Sequence, residues 1–414
     1  MKITKAQLEN EKAPVAQKDP ILGKYETKED QEVWQCNQML RGAQAPPVAT
    51  PSMNKTQGGH GKATFERYGR RESNTTNAAY QKTMKIHWLI PGSYKTAEDL
   101  IKSNLASIRM RAGLVGKFAH AMQFEFSAGD QINTKADIIV VGKIGGDCLN
   151  GRENLWIKQL AEAKKQSKKI ILDYTDHHLG SLSSPMGAFY KNILPIINKA
   201  VVPSTRISKL LEKKFNQEII VIEDPVEIQT IYPIMSIPTG EMTLLWFGHA
   251  TNISYLVNYL QDDFLCDADF RLFVLSNGPG LKELASHQQS LRSTIKLEFV
   301  EWSLQNMINA SKISHGCLIP SDVNDPSKSG ASSNRLITAF ALGLPVSAEV
   351  LESYAPFTDY FHNVRETPLS AFINQLALYT KKVETAQERV VPMFSQKVIA
   401  KKWERFFLTA RRIA

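Results

Sequence analysis

The sequence predicts an α/β protein of two domains, each a mainly parallel sheet wrapped by helices, facing one another across a cleft and preceded by a polar extension. Three observations predict it. The chain has 414 residues, too many for one ordinary core, and its hydrophobic fraction of 43% can fill two. Short apolar runs alternate with stretches whose apolar residues recur at three and four, the pattern of strands joined by right-handed helical crossovers. That alternation lapses after Asp224-Pro225 and starts afresh near Thr243.

Residues 1–83 are polar and turn-rich, with Ala45-Pro46-Pro47 and Gly59-His60-Gly61, and cannot bury enough surface to offset ordering entropy. They read as a flexible extension with a short helix near 28–40; Phe65, Arg67, Tyr68, Arg70 and Arg71 form a basic, aromatic cluster within it. The first domain is expected over 84–234. Its first buried strand is 85–92, ending in Pro91-Gly92, with further strands at 136–141, 169–172, 199–202 and 218–222 and helices at 101–111, 154–166 and 206–215. The second domain, 235–394, is expected to carry strands at 243–247, 270–276, 295–300, 316–320 and 344–348 and helices at 254–260, 304–311 and 335–342. Residues 395–413 read as a basic amphipathic helix whose apolar set is Val398, Trp403, Phe406 and Phe407.

The formal charge of +9 suits phosphate-bearing small molecules, anionic membranes and polyanions alike. Cys36, Cys148, Cys266 and Cys317 are scattered without metal-ligand or disulfide spacing, which points to a reducing compartment. No apolar run follows Met1-Lys2, and none approaches the roughly 18 to 20 residues a bilayer requires. The expected location is therefore cytoplasmic, with at most a peripheral contact at a membrane's inner face.

In open parallel sheets, ligands bind at the carboxyl ends of the strands, so the residues just beyond each strand matter most. The polar loop from Ser327 to Asn334 runs into a helix whose free amides favour phosphate, with Lys328 and an inward-facing Arg335 adding charge. A plain reading competes with this one: Ser332, Ser333 or Asn334 simply caps the helix. Asp176, His177 and His178 gather at another strand end, where one could act as a base or touch a sugar, or Asp176 could cap the turn.

The helix leading into Gly343-Leu344-Pro345-Val346 resembles the nucleotide-sugar segment of the group 1 glycosyltransferases. Other stretches follow that family in order: Ser107-Ile108-Arg109-Met110-Arg111, Ile171 to Asp176, Ala200 to Ser204, Ile222 to Val226, Trp246-Phe247-Gly248, Phe299 to Ser303 and Cys317 to Pro320. The resemblance implies the GT-B arrangement of two Rossmann-like domains, with residues 395–414 crossing back onto the first. It implies donor contacts from Gly248, His249, Asn252, Glu301, Trp302, Lys328, Ser332, Ser333, Asn334, Arg335 and Thr338. Trp302 has two roles open to it, stacking on the base or packing in the core. On the acceptor side it implies Gly92, Ser107, Arg109 and Arg111, with Asp176, His177 and His178 as catalytic candidates.

The sequence departs from the family twice. Gly330 and Thr338 stand where many members carry a Glu pair, the second of which binds ribose. Between Glu241 and Asp269 no basic residue other than His249 appears, so Lys328 is the substitute for the usual diphosphate cations. The implied function is transfer of a sugar from a nucleotide-diphosphate donor to a hydroxyl of a glycan, lipid-linked or other acceptor. Neither a cofactor nor an essential metal is implied, and nucleic acid is not the expected partner. Asp267-Ala268-Asp269 reads as a solvated turn. Two alternatives stay open: a binding or scaffold protein that has lost turnover, and a nucleotide-sugar epimerase.

Overall fold

A computed structural model describes residues 83–145, 151–180, 185–233, 240–325 and 330–412. The polar extension, with its expected helix and basic cluster, lies outside them. The first lobe runs β1 (Met84–Leu89), α1 (Ala97–Ile101), a π-helical segment (Ile108–Gly113), α2 (Leu114–Phe118), β2 (Phe124–Gly129), β3 (Ile138–Val141), α3 (Arg152–Lys165), β4 (Lys169–Asp173), α4 (Pro185–Ile193), β5 (Lys199–Val202), α5 (Thr205–Glu212) and β6 (Ile219–Val221). The second runs β7 (Thr243–Phe247), α6 (Ile253–Leu260), β8 (Phe270–Ser276), α7 (Gly278–His287), β9 (Ile295–Glu301), α8 (Leu304–Ser311), β10 (Gly316–Ile319), α9 (Asn334–Ala341), β11 (Val346–Ala348), β12 (His362–Asn363), α10 (Leu369–Asn374) and α11 (Leu376–Arg389). Helix α12 (Gln396–Arg412) closes the described chain.

Each lobe is built on a six-stranded sheet, ordered β2-β1-β3-β4-β5-β6 in the first and β12-β11-β10-β7-β8-β9 in the second. Every strand pairing in both sheets is parallel. The winding direction reverses beside β1 in one sheet and beside β7 in the other, and such reversals open a crevice at the strands' carboxyl ends. Alternation within each strand sends successive residues to opposite faces. Ile86 and Trp88 therefore join one first-lobe cluster, while Leu89 and Ile139 join the other.

Helix α12 belongs to the first lobe's core although it follows the second lobe in sequence. Ile399, Trp403, Phe406 and Phe407 are buried among β1, β2 and β4 residues, with Trp403 edge-on to Trp88 at 5.1 Å and Phe407 edge-on to Phe124 at 5.8 Å. Val398, counted in the apolar set, is instead exposed; Ile399, Ala400 and Ala410 complete the buried stripe. The segment after β6 also ties the lobes, with Val226 N–H donating to Phe394 O at 2.8 Å and Ile231 N–H to Ala341 O at 2.7 Å.

Several elements differ from the sequence reading. Strand β2 was not expected because it is an edge strand with one wet side and carries Glu125, Ser127 and Ala128 instead of an apolar run. The helix expected over 101–111 splits into α1 and the π-helical segment, whose residues are all buried. Helices α4, α7, α10 and α11 are additions. Asp267-Ala268-Asp269 is a solvent-facing bend, as expected, in which exposed Asp267 accepts from Ser370 N–H at 2.8 Å at the start of α10 and exposed Asp269 pairs with Arg292 at 2.9 Å.

Candidate active site at the ends of the strands

Strand β7 delivers the chain to the reversal point of the second sheet, and Gly248 follows it. A Cβ there would lie 2.9 Å from the Trp246 ring and 3.5 Å from the guanidinium carbon of Arg335, so only glycine lets the backbone pass. The next loop leans on the end of β8: Gly248 N–H donates to Leu275 O at 3.0 Å, Ala250 N–H to Asn277 Oδ1 at 3.0 Å, and His249 lies 3.5 Å from Asn277. Asn252 sits at the cap of α6 without a side-chain cap bond.

Arg335 reaches this point from the first turn of α9. Its guanidinium lies over the rings of Trp246 at 5.3 Å and Phe247 at 5.9 Å. Its Nε and Nη2 are buried and have no hydrogen-bond partner among the described residues. Burial pushes its pKa below the ordinary arginine value. Ser333 occupies the cap position of α9, but no side-chain bond closes the helix start, which corrects the plain capping reading of Ser333. Ser332 is half-buried and Thr338 buried. The Asn334 amide does not cap either; it donates to Met110 Sδ at 3.3 Å and accepts from Thr338 Oγ at 3.0 Å, leaving Thr338 committed inside the helix. Lys328 lies outside the described residues.

At the end of β9, Glu301 is exposed and accepts Asn306 Nδ2 through its carbonyl at 2.9 Å. Trp302 packs against the second lobe's core and carries the Arg109 guanidinium 4.5 Å above its ring.

On the first lobe, Asp176, His177 and His178 follow β4. Lys143, directly after Gly142 at the end of β3, pairs with Asp176 Oδ2 at 2.6 Å, and Thr175 Oγ donates to the same oxygen at 3.3 Å. Burial works against the Asp176 charge, yet the Lys143 ammonium holds its carboxyl below the usual range. His178 stacks on Tyr190 at 5.5 Å with its Nε2 3.9 Å from Asp176, and His177 lies edge-on to Tyr174 at 6.4 Å. Burial lowers the pKa of both rings, helped for His177 by the cations Arg206, Lys213 and Lys214. Both are neutral near pH 7, so either can accept a proton, whereas an ion-paired Asp176 is the weaker base.

Gly92 makes the turn after β1 at a φ of 102° and its carbonyl accepts Asp130 N–H at 3.0 Å; Ser107 is half-buried before the π-helical segment. Arg109 and Arg111 are not free to meet an acceptor. Arg111 is fully buried, donating to Asp173 at 2.7 Å, to Ile222 O at 2.9 Å and to Asp224 at 3.1 Å, and it lies over Trp403 at 5.1 Å. It joins β4, the interlobe segment and α12, a structural role that corrects the acceptor-side expectation. Arg109 grips Glu227 through two bonds of 2.7 and 3.1 Å and Ser103 O at 2.8 Å.

Contacts bridge the lobes around this site. Ser204 Oγ donates to Gly330 O at 3.1 Å, and Arg206 and Lys209 reach Glu352 at 3.4 and 2.9 Å. A Cβ on Gly330 would come within 2.4 Å of Ile207, so glycine there permits the lobes' approach. Lys143, Arg206, Asn277 and Glu352 were not singled out from sequence. Lys143 and Arg206 were within reach, since one follows a strand end directly and the other follows the Pro203-Ser204 turn.

No protein-family model matches the sequence. No curated protein matches it either. Among solved structures, an α-glucosyltransferase in complex with UDP is 13% identical, with a TM-score of 0.53 over 79% of this chain and 100% of that one. TarM, also 13% identical, matches 72% of this chain at a TM-score of 0.46; the match spans 58% of TarM's own length. The UDP-GlcNAc 2-epimerase of Methanocaldococcus jannaschii matches 79% of this chain at 13% identity and a TM-score of 0.40. With two parallel six-stranded sheets, a winding reversal in each and the closing helix returned to the first lobe, this chain has the GT-B fold and resembles the glycosyltransferases built on it.

Proposed function

We propose that this protein transfers a sugar from a nucleotide-diphosphate donor to an acceptor hydroxyl. The observation that carries the reading is Arg335, a half-buried cation whose buried Nε and Nη2 have no hydrogen-bond partner among the described residues, beside Gly248 and a helix start without a side-chain cap at the winding reversal of the second sheet. Burying a cation's donors without a partner is costly, and a diphosphate would supply that partner. Negative charge grows on the leaving diphosphate in the transition state, so fixed amides and a guanidinium would stabilise that state more than the bound donor. Lys328, two residues before Gly330 in the sequence, adds a further cation in this reading.

The acceptor hydroxyl faces the ends of β3, β4 and β5, where neutral His177 or His178 takes its proton and the Lys143–Asp176 pair fixes the loop. Nucleotide sugar is thus a substrate, and charge stabilisation falls to Arg335 and the α9 amides in place of a metal or cofactor. A cytoplasmic location, with the exposed Lys397, Lys401 and Arg405 of α12 turned to an anionic membrane, suits a lipid-linked acceptor.

The test is a thermal-shift screen of common nucleotide sugars on the full chain, followed by product analysis with and without acceptor. A stabilising donor whose sugar appears on an acceptor bears the proposal out. An epimerised donor formed without acceptor makes the protein an epimerase, and binding without any product makes it a scaffold.

A further inference from the structure

We infer that the first lobe carries an oxyanion subsite formed by Lys143, His177, His178 and Arg206, and that it holds a phosphate group borne by the acceptor. Calling the ligand an acceptor rests on the transfer reading; the subsite itself does not. Three observations carry it. His177 Nδ1, His178 Nε2 and Arg206 Nε are buried and have no hydrogen-bond partner among the described residues, although buried polar atoms are almost always paired. All three belong to segments that leave neighbouring strands, the histidines after β4 and Arg206 in the first turn of α5 after β5.

The charge around them is positive. Lys143, Arg206, Lys209, Lys213 and Lys214 outnumber the carboxylates in the same region, Asp176, Glu212 and Glu352. Asp176 is taken by Lys143, Glu352 by Arg206 and Lys209, and Glu212 by Ser208 Oγ at 2.9 Å. Arg206 is held at the cleft by a loose 3.4 Å contact with Glu352, so its fork can turn to a better acceptor. A neutral imidazole can donate one N–H to an oxyanion while its other nitrogen remains a proton acceptor. The region lies on the lobe opposite Arg335, so a diphosphate held there would leave it open to the other substrate.

The experiment follows the ring resonances of His177 and His178 in the full chain during titration with inorganic phosphate, alone and with a saturating nucleoside diphosphate present. Phosphate should move both signals. Arg206→Gln should weaken that response at least ten-fold and Lys143→Gln should weaken it too, while Lys381→Gln, at an exposed position on α11, leaves it unchanged. An equal response in Arg206→Gln, or none in the wild type, overturns the subsite. If the nucleoside diphosphate displaces phosphate from these rings, the site serves the donor and the acceptor assignment falls. If nucleotide sugars bind while phosphate leaves both rings unmoved, the subsite fails and the donor reading stands; the reverse result fails the donor reading alone.

Discussion

Arg335 is a guanidinium largely withdrawn from water, with the Trp246 and Phe247 rings beside it and no ion pair among the described residues. Replacing such a charge by apolar volume is often neutral or stabilising. Arg335→Met is therefore expected to hold or raise the melting temperature while weakening nucleotide-sugar binding by about ten- to a hundred-fold, the worth of a charge-assisted bond of roughly 1.5 to 3 kcal/mol. Calorimetry of binding and of unfolding on the same variant checks both halves; a fall in stability with unchanged affinity would make Arg335 a structural prop. His87 and His362 behave differently, because burial pushes both rings down to about 4 from an ordinary 6.5. Between those values the unfolded chain binds the extra protons, so stability is lost as pH falls from about 6.5 to about 4, by on the order of 3 kcal/mol for each ring. Urea midpoints measured at about pH 7 and about pH 4 should show the loss, and His362→Asn should reduce it. Lys143 could be read as a strand-end residue, but its pairing with Asp176 could not, because the two stand 33 residues apart and meet only at neighbouring strand ends.

At the scale of elements, α9 and α12 are fixed in different ways. Helix α9 ends on Gly343 at a φ of 75°, with Gly343 N–H donating to Phe340 O at 2.9 Å and Leu344 N–H to Ala339 O at 3.1 Å. A Cβ there would also come 2.5 Å from Ile231 O, so Gly343→Ala strains the helix end and pushes the interlobe segment away. A loss of about 1 to 3 kcal/mol is expected, read from the urea midpoint. Helix α12 is held by apolar contact: Trp403 is fully buried between Trp88 and Phe407. Trp403→Ala should cost roughly 3 to 5 kcal/mol, and removing residues 395–414 should melt the first lobe ahead of the second. A truncated chain that keeps its full melting temperature would overturn that account. Replacing Lys397, Lys401 and Arg405 by Gln should leave the melting temperature unchanged and abolish binding to anionic vesicles; vesicle binding that survives removes the proposed membrane contact.

At the scale of the molecule, Arg109 is one of the side chains that join the lobes. It rises from the π-helical segment, clasps Glu227 in the interlobe segment and covers Trp302 of the second lobe. Lysine has the charge but neither the fork nor the plane. Arg109→Lys should therefore loosen the cleft, seen as a larger radius of gyration in solution scattering without ligand and a return toward the wild-type value with saturating donor. An unchanged radius in the free variant would show that Ser204–Gly330 and the Glu352 pairs suffice to hold the lobes.

The sequence by itself determined the two α/β lobes, most of their central strands, the break near Asp224-Pro225 and the closing helix, because buried parallel strands are written as local apolar runs and helices as a local period. It also marked the strand ends where Asp176, His177, His178, Gly248 and Arg335 stand. It did not reveal edge strand β2, whose wet face dilutes the apolar signal, or the π-helical turn, which has no local signature. Only the tertiary structure decided that Arg111 is a buried tie, that Arg109 is spent on Glu227 and Trp302, and that Arg335 Nε and Nη2 have no hydrogen-bond partner among the described residues. Pairing of that kind depends on which side chains reach the same volume after the sheets have wound, and residues brought together from positions more than a hundred apart leave no trace in local spacing.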